Sequence, residues 1–437
     1  MNLSPGEIKL HIPEGINYEC TGCGTCCSGW SVPLTEADYN RISPIDWTAR
    51  LAKFNGKFLF RPLKKAEAAG TPYTHAIRHG EDGHCPFLVN NLCFIHSQFE
   101  AATKPAICQL FPYCFNETPS GVYATVSFVS MGVVYNSGKA LAEQRDLLNA
   151  KLAQFQSLFP DHHPNWSKLQ LTVGQPLEWP DYLALEEKLL DCLKDRSKPL
   201  ANRFMSSSDY LLSVVQPLAA SNEPIRIRND SNPPKPPNHL DKALLIALHK
   251  VYFPTKPTGK GQGDFSLIDF CWQATGGSIC PGLTIQLPGK SYKIDDLLST
   301  EIRRGTEGHG GAFGRFTGSS SSLQINWPDS DPEIEDLLYR YFYSRIFAKL
   351  YFGAGFGQLS LIAGFHHLAL LLSLIKLQAK VIALSRDAKV VSLIDVVTTI
   401  RQLEKRLGEA TLGPYAAATL ELLLYSPRRL RRILNIC

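Results

Sequence analysis

Eight of the twelve cysteines of this chain lie between residues 20 and 114, and they are the residues whose type and spacing could do chemistry. Four fall in the run Cys20-Thr21-Gly22-Cys23-Gly24-Thr25-Cys26-Cys27. A thiolate binds metal ions, whereas so many thiols held together without a cation would be easily oxidised. We therefore predict one metal site, or two adjacent ones. The candidate ligands are Cys20, Cys23, Cys26, Cys27, Cys85, Cys93, Cys108 and Cys114.

The spacing of the first cysteines fits a shared centre. In Cys20-x-x-Cys23-x-x-Cys26 a loop can wrap three sulfur atoms around one ion, and its glycines fit tight turns. Neighbouring side chains usually diverge, so one sulfur of Cys26-Cys27 is expected to face a second metal or to stay a free thiol. The later cysteines follow at spacings of 8, 15 and 6 residues. Such irregular spacing predicts ligands collected from several elements that fold over the first loop.

Two assignments of the metal remain open, because zinc and iron–sulfur clusters are held by the same thiolates. In the first, four cysteines hold a [4Fe–4S] cluster and the others support structure or a second metal. In the second, all eight hold two zinc ions. His84 and His96 lie near cysteines and could each replace a sulfur, although an exposed or packed histidine is the simpler interpretation. A purely structural metal is an equally strong competitor to a catalytic one.

Other motifs give no comparable signal. Gly259–Asp264 and Gly308–Gly311 are glycine-rich, but neither is a Walker sequence, and both are interpreted as loops. His366-His367 lies in an apolar helix, where adjacent side chains point about 100° apart, so the pair is interpreted as packed core. The remaining cysteines are scattered along the chain: Cys192, Cys271, Cys280 and Cys437.

Length and charge limit the class of protein. The 437 residues, 44% of them apolar, are enough for two or three domains. The net charge of +5 is too small to indicate a nucleic-acid or membrane partner. The basic run Arg428–Arg432 is interpreted as a solvated helix end that complements the helix dipole.

The N-terminus lacks the basic and apolar regions of a secretory signal, so a cytoplasmic location is expected. In a reducing compartment, clustered cysteines are more often ligands than disulfides. The apolar run Leu359–Ile375 is interrupted by a glycine and two histidines, and it predicts a buried helix rather than a membrane span.

Short elements are predicted around the cysteines. Thr35-Glu36-Ala37-Asp38 is a capping box that opens a helix through about Ile42. The other predicted elements are strands at Trp30–Leu34, Lys57–Pro62, Tyr73–His79 and Val122–Tyr135, helices at Trp47–Asn55 and 138–158, and a helical turn within Lys104–Pro112.

The remainder of the chain is predicted to be mainly helical. Helices are expected from Trp179 to about Lys194 and at 206–219, 240–252, 293–303, 333–352, 358–384, 390–407 and 414–435, with a flexible insert at Gly305–Ser322. The predicted domains are a cysteine-cluster domain (1–136), a helical connecting region (137–228), a proline-rich linker (229–238) and a mainly α-helical domain (239–437). The fold class is therefore α+β, with a small cysteine-rich metal-binding α+β domain followed by a mainly α-helical region.

The cysteine pattern resembles a known family. The run Cys20–Cys27 looks like the C-x-x-C-x-x-C-C signature of the cysteine-cluster family of zinc- or iron-chelating domains. The stretches Cys85–Leu88, Leu92–His96 and Lys104–Pro112 are similar to the rest of that family's pattern. The resemblance covers residues 20–114 and implies that the eight cysteines are the metal ligands.

Within this family, Cys26–Val32, followed by Leu34-Thr35 and Tyr39, looks most like the flagellin lysine-N-methylase branch. That resemblance implies a methyltransferase that uses S-adenosylmethionine with a [4Fe–4S] cluster and modifies lysine side chains of a protein substrate. It assigns neither a catalytic residue nor an S-adenosylmethionine site; Trp30 could wall the site, with packing as the simpler interpretation. The alternative function is a non-catalytic zinc- or iron-binding protein whose helical part binds a partner.

Overall fold

The structure is a computed structural model. It describes residues 9–28, 31–51, 59–80, 83–215, 239–253, 284–287, 290–293, 325–409 and 414–435. The chain divides into two units, Met1–Pro164 and Asn165–Cys437. The first unit combines short strands with short helices and the second is mainly helical, so the predicted α+β class is confirmed.

Strands of the first unit form three small sheets among its described residues. β1 (Leu10–His11) pairs in parallel with β8 (Gly121–Val126), which pairs antiparallel with β7 (Tyr113–Thr118). β2 (Val32–Thr35) and β3 (Phe60–Pro62) flank β4 (Tyr73–Ile77), and β5 (Leu88–Val89) forms a hairpin with β6 (Leu92–Cys93). The strands predicted at Lys57–Pro62 and Tyr73–His79 are present as β3 and β4, which pair antiparallel.

The helices of the first unit are short. They are α1 (Glu36–Ile42), α2 (Trp47–Arg50), α3 (Lys65–Ala68), α4 (Phe94–Gln98), α5 (Ala106–Leu110), α6 (Met131–Val134) and α7 (Arg145–Leu158). α1 begins at the predicted capping box. The Thr35 hydroxyl accepts a hydrogen bond of 3.0 Å from the Asp38 amide, and the Asp38 carboxylate accepts one of 3.1 Å from the Thr35 amide. Leu34, Ile42 and Trp47 are buried together in the core beneath these elements. The segment that follows the first cysteines is therefore well anchored.

Three predicted elements of the first unit are wrong in extent. The strand expected over Val122–Tyr135 ends at Val126, and α6 follows a turn in which the Ser130 amide donates to the Ser127 carbonyl. Its apolar residues are buried in a short helix, where a side chain on Gly132 would collide with the Glu19 carbonyl. The helix expected over 138–158 begins at Arg145, after a 3-10 turn. The helix expected over Trp47–Asn55 ends at Arg50, because Leu51 is already extended; residues 52–58 lie outside the described residues.

Helices dominate the second unit. They are α8 (Trp179–Lys194), α9 (Leu200–Ser213), α10 (His239–Tyr252), α11 (Pro332–Phe347), α12 (Leu361–Ser385), α13 (Leu393–Glu409), α14 (Pro414–Leu424) and α15 (Pro427–Leu434). Two short hairpins accompany them, Gln170–Thr172 with Gln175–Pro176 and Thr284–Leu287 with Lys290–Lys293. The linker 229–238, the insert Gly305–Ser322 and most of 293–303 lie outside the described residues.

Prolines account for two corrections in this unit. The helix expected at 206–219 is α9, which begins directly after Pro199. The helix expected at 414–435 is two helices, because Ser426 caps a new helix that has Pro427 at its first position. Proline is compatible with a helix start but removes an interior hydrogen bond.

α12 is the central helix of the second unit, and it packs against α9, α10, α13, α14 and α15. By length and composition it could span a membrane, but 78% of its most apolar window is buried inside the protein. Both central histidines are buried and hydrogen-bonded. His366 contacts the Ser208 hydroxyl at 2.6 Å, and His367 contacts the Tyr252 hydroxyl at 2.8 Å. The interpretations of this stretch as a buried helix and of its histidines as packed core are confirmed.

Two of the four C-terminal arginines, Arg429 and Arg432, are not solvated as expected. The Asp241 carboxylate, which is fully buried near the start of α10, accepts a hydrogen bond from Arg429 at 3.1 Å and another from Arg432 at 2.5 Å. Both guanidinium groups are themselves mostly buried. The basic run thus clamps α15 onto α10 through one carboxylate.

Replacing Asp241 by alanine is expected to destabilise the second unit by about 3–5 kcal/mol, because two mostly buried guanidinium groups lose their counter-charge. Asp209→Ala is the matched control, since its ion pair with Arg431 is partly exposed and should contribute at most about 1 kcal/mol. Urea unfolding followed by far-ultraviolet circular dichroism measures both. Equal effects of the two substitutions would contradict the clamp.

Candidate metal centre

The first cysteine group lies in a tightly turned loop. Gly22 and Gly24 have positive φ angles of 63° and 69°, which glycine adopts without strain. A 3-10 turn then covers Thr25–Cys27, closed by a hydrogen bond from the Cys27 amide to the Gly24 carbonyl at 3.0 Å. These glycines therefore serve as the predicted turn residues.

Cys26 and Cys27 do not diverge. Their sulfur atoms lie 4.0 Å apart, although consecutive side chains of a 3-10 turn point about 120° apart. Two thiolates on one tetrahedral zinc, with Zn–S bonds of about 2.3 Å, stand about 3.8 Å apart. The separation is thus suited to a shared metal, and the expectation that the two side chains diverge is wrong.

The second cysteine group is attached to this turn through the backbone. The Cys85 amide donates to the Cys27 carbonyl at 2.8 Å, and His84 forms a β-bridge with Ser28. Three residues after Cys85, Leu88 pairs across the β5–β6 hairpin with Cys93. Cys85 is thus joined directly to the first cysteine turn and Cys93 lies on the hairpin that follows, while their role as ligands stays a prediction.

Gly24 fixes how closely the loop and the hairpin approach. The hairpin turns at Asn90 and Asn91, whose φ angles of 51° and 64° are typical of a type I′ turn. A Cβ atom on Gly24 would lie 2.9 Å from Leu88 Cδ1 and 3.0 Å from Asn91 Cα. The loop therefore packs directly onto the hairpin backbone, where no side chain fits.

Replacing Gly24 by alanine should both strain the loop and push it away from the hairpin, at a cost of about 2–4 kcal/mol and with loss of bound metal. Gly15→Ala is the matched control: its φ angle is also 69°, but no atom lies within 4 Å of the added Cβ. We expect about 1 kcal/mol and full metal content there. Urea unfolding and metal analysis of both variants test the difference. Equal metal loss would contradict the steric argument.

Cys108 lies on α5 and is held from a distance. The α5 helix begins after Pro105, and the amide of its first residue, Ala106, donates to Asp38 Oδ1 at 3.1 Å. Asp38 is 1% exposed and belongs to the capping box of α1. Arg41 donates to the same oxygen at 2.5 Å. The buried Asp38 carboxylate thus joins α1 to α5, the helix that carries Cys108.

Electrostatics show which thiols interact. The hydrogen bond with Cys26, burial, and the nearby Cys85 and Cys108 thiols raise the pKa of Cys27. Burial, followed by the Cys85, Cys93 and Cys26 thiols, raises the pKa of Cys108. The thiols of Cys26 and Cys85 thus disfavour the ionised form of both Cys27 and Cys108, and these residues together with Cys93 are called the thiol cluster below. A bound cation reverses this balance, because it deprotonates coordinating thiols outright.

Cys23 behaves differently. Burial acts in the opposite direction, but hydrogen bonds with Thr25 lower the pKa of Cys23, and the Thr25 Oγ1 atom lies 3.1 Å from Cys23 Sγ. Its charge interacts with Cys26, which links it to the cluster. Hydroxyl and amide donors thus favour a thiolate at the entrance of the loop.

The remaining predicted ligands lie at the edges. Cys20 and Cys114 are exposed, and the Cys114 thiol lies 3.6 Å from the Pro112 carbonyl oxygen. His84 is partly buried beside the cluster and His96 is exposed on α4. Trp30 lies outside the described residues. Among the described residues, no three His, Cys, Asp or Glu side chains are already arranged closely enough to hold an ion. The ligand set as a whole stays a prediction.

Sequence reasoning missed two residues at this site. Tyr18 is partly buried, its ring stands edge-on to Tyr113 with centroids 5.5 Å apart, and burial, followed by the Cys20 thiol, raises its pKa. Tyr18 lies two residues before the first cysteine, which is its only sequence signal. The role of Asp38 beyond its capping box depends on a contact with Ala106, 68 residues away in the sequence.

Comparison with known proteins supports the cysteine pattern. Residues 19–127 match the profile of a family described as "Putative zinc- or iron-chelating domain". An uncharacterized protein of Methanocaldococcus jannaschii is 32% identical over 102 residues, which are 23% of this chain and 30% of that protein. The chain thus spans less than a third of that relative's length. No solved structure matches the chain.

Proposed function

We propose that the cysteine-rich unit binds zinc or iron through its thiolates. The observation that carries this proposal is the 4.0 Å separation of the Cys26 and Cys27 sulfur atoms, on a turn to which Cys85 is hydrogen-bonded. The interaction of Cys108 with these thiols supports it further. Without a cation, neighbouring thiols disfavour each other's ionisation. A bound metal ion supplies the positive charge that stabilises the thiolates.

Metal analysis of anaerobically purified protein tests this proposal. Zinc or iron at one or two ions, or one cluster, per chain is the expected result, in protein that is inert to thiol reagents until a chelator is added. A brown protein with broad absorbance near 400 nm, about the range of sulfur-to-iron charge transfer, indicates an iron–sulfur cluster. A colourless protein with about two zinc ions indicates two thiolate sites. Protein without metal under every reducing condition contradicts the proposal.

As a finer proposal, the bound group is a [4Fe–4S] cluster and the chain transfers a methyl group from S-adenosylmethionine to a lysine of a protein substrate in the cytoplasm. The resemblance of Cys26–Val32, Leu34-Thr35 and Tyr39 to the flagellin lysine-N-methylase branch supports it. The helical unit would then present the substrate. The competing proposal is a non-catalytic metalloprotein whose helical unit binds a partner.

Methyl transfer separates these two proposals. Protein with a fully loaded cluster is incubated with isotopically labelled S-adenosylmethionine and a lysine-rich protein, and the products are analysed by mass spectrometry. Labelled methyl-lysine supports the enzyme. A loaded cluster without methylated product supports the non-catalytic protein.

A further inference from the structure

Asp38 is a buried carboxylate with more partners than a helix cap requires. Its Oδ2 atom accepts the Thr35 amide at 3.1 Å, as in any capping box. Its Oδ1 atom accepts two further donors, the Arg41 guanidinium at 2.5 Å and the Ala106 amide at 3.1 Å. The second of these bonds crosses to α5, the helix that carries Cys108.

The α5 helix needs this acceptor. The first amides of a helix have no partner within the helix, and the residue before α5 is Pro105, whose side chain offers no acceptor. Asp38, which lies on α1, therefore caps the N-terminus of α5 in place of a local capping residue. Arg41 also donates to the Lys104 carbonyl at 3.1 Å, so carboxylate and guanidinium together hold the entry to α5.

Charge does not explain this arrangement, because a carboxylate near thiols opposes their ionisation. Geometry does. The α5 helix packs against β2, which follows the Cys26-Cys27 turn after a few residues. Cys108 lies two residues after the amide that Asp38 accepts. Fixing the start of α5 therefore fixes the position of Cys108 relative to the first cysteine group.

We infer that Asp38 is a positioning residue for the metal centre: by accepting the Ala106 amide, it holds Cys108 in place with the other thiols, while Arg41 balances its charge. The inference rests on the proposed metal binding. Asp38 itself is not a ligand. Partners of this kind beyond the ligands commonly change metal affinity by about 10–100-fold when they are replaced.

Cobalt(II) binding to reduced, metal-free full-length protein tests the inference, with affinity measured against a competing chelator and the cobalt absorption spectrum recorded. In Asp38→Asn the single amide oxygen can keep the Ala106 hydrogen bond while the bond from the Thr35 amide is lost, so its dissociation constant should stay within about threefold of the original. Asp38→Glu keeps the charge but moves the oxygen by one methylene, so its affinity should fall at least about tenfold and its spectrum should change.

Thr35→Ala is the matched control. It removes the other capping bond and leaves the Ala106 bond in place, so the melting temperature should fall while cobalt affinity is kept. Alkylation of metal-free protein gives a second measurement, which does not require metal binding. Cys108 should react several-fold faster in Asp38→Glu than in the original protein, with exposed Cys20 unchanged.

The opposite ranking, with Asp38→Glu binding normally and Asp38→Asn binding weakly, would overturn positioning in favour of charge. Equal loss of affinity in Thr35→Ala and Asp38→Glu would reduce Asp38 to a helix cap. Normal cobalt binding and unchanged Cys108 alkylation in all variants would overturn this inference alone. Failure of the original protein to bind zinc, iron or cobalt would instead overturn the proposed function.

Discussion

Replacing Cys108 by serine is expected to remove most of the metal from the protein. Serine has no sulfur atom, and its hydroxyl ionises far less readily than a thiol. It therefore cannot offer a soft cation the anionic ligand that cysteine provides. Besides burial, the Cys85, Cys93 and Cys26 thiols raise the pKa of Cys108, so Cys108 lies near members of both cysteine groups. We expect the metal affinity to fall by more than the 10–100-fold that outer-shell substitutions cost.

Metal content per chain after anaerobic purification measures this effect, together with the affinity in a chelator competition. Cys192→Ser is the matched control, because Cys192 is a partly buried cysteine on α8 in the other unit. It should keep the full metal content and the same absorption spectrum. A Cys108→Ser protein with unchanged metal and spectrum would show that Cys108 is not a ligand.

Local signals in the sequence predicted much of the first unit. The capping box at Thr35 predicted the start of α1 correctly, because its hydrogen bonds join residues only three positions apart. The long-range bond from Asp38 to Ala106 has no such signal, since any acceptor brought to that place would serve. The cluster could thus be predicted as a set of thiols, but the group that holds one of them in place could not.

Two errors come from general tendencies that this chain does not follow. The side chains of Cys26-Cys27 were expected to diverge because neighbouring side chains usually do so, yet their sulfur atoms lie 4.0 Å apart. The strand expected over Val122–Tyr135 was inferred from β-branched and aromatic residues, but such residues also occur in short buried helices such as α6. Composition reports burial more reliably than backbone conformation.

The interpretation of Arg428–Arg432 as solvated was wrong for Arg429 and Arg432, for a related reason. A basic run at a helix end is usually solvated, and nothing in the neighbouring sequence distinguishes this one. Its partner, Asp241, lies near the start of a helix almost two hundred residues earlier. Tertiary contacts thus decide the role of charged residues that local sequence leaves undetermined.

The second unit is expected to lose stability in mild acid because three of its buried histidines resist protonation. Burial lowers the pKa of His249 and of His366 from 6.5 to about 4. Burial and the Arg345 charge lower the pKa of His367 from 6.5 to about 3. All three are hydrogen-bonded in the interior. His366 uses both nitrogens, with Nδ1 donating to the Leu424 carbonyl and Nε2 accepting from Ser208.

The sign follows from the lowered pKa values. In the unfolded chain these imidazoles bind protons below about pH 6.5, whereas in the folded unit they stay neutral to about pH 4. The unfolded state therefore binds more protons in this window, and stability is present above pH 6.5 and lost as the pH falls towards 4. Within this window each histidine lowers the free energy of unfolding by about 1.4 kcal/mol per pH unit, so the three together lower it by about 4 kcal/mol per pH unit.

Urea unfolding between pH 7.5 and 5, followed by far-ultraviolet circular dichroism, measures this loss because most helices belong to the second unit. His249→Gln should lower the pH slope by about a third, since glutamine can still hydrogen-bond Gln378 but does not titrate. His163→Gln, at a histidine that is 72% exposed, is the control and should leave the slope unchanged. If both variants lose stability with acid as steeply as the original protein, carboxylate protonation rather than the buried histidines drives acid unfolding.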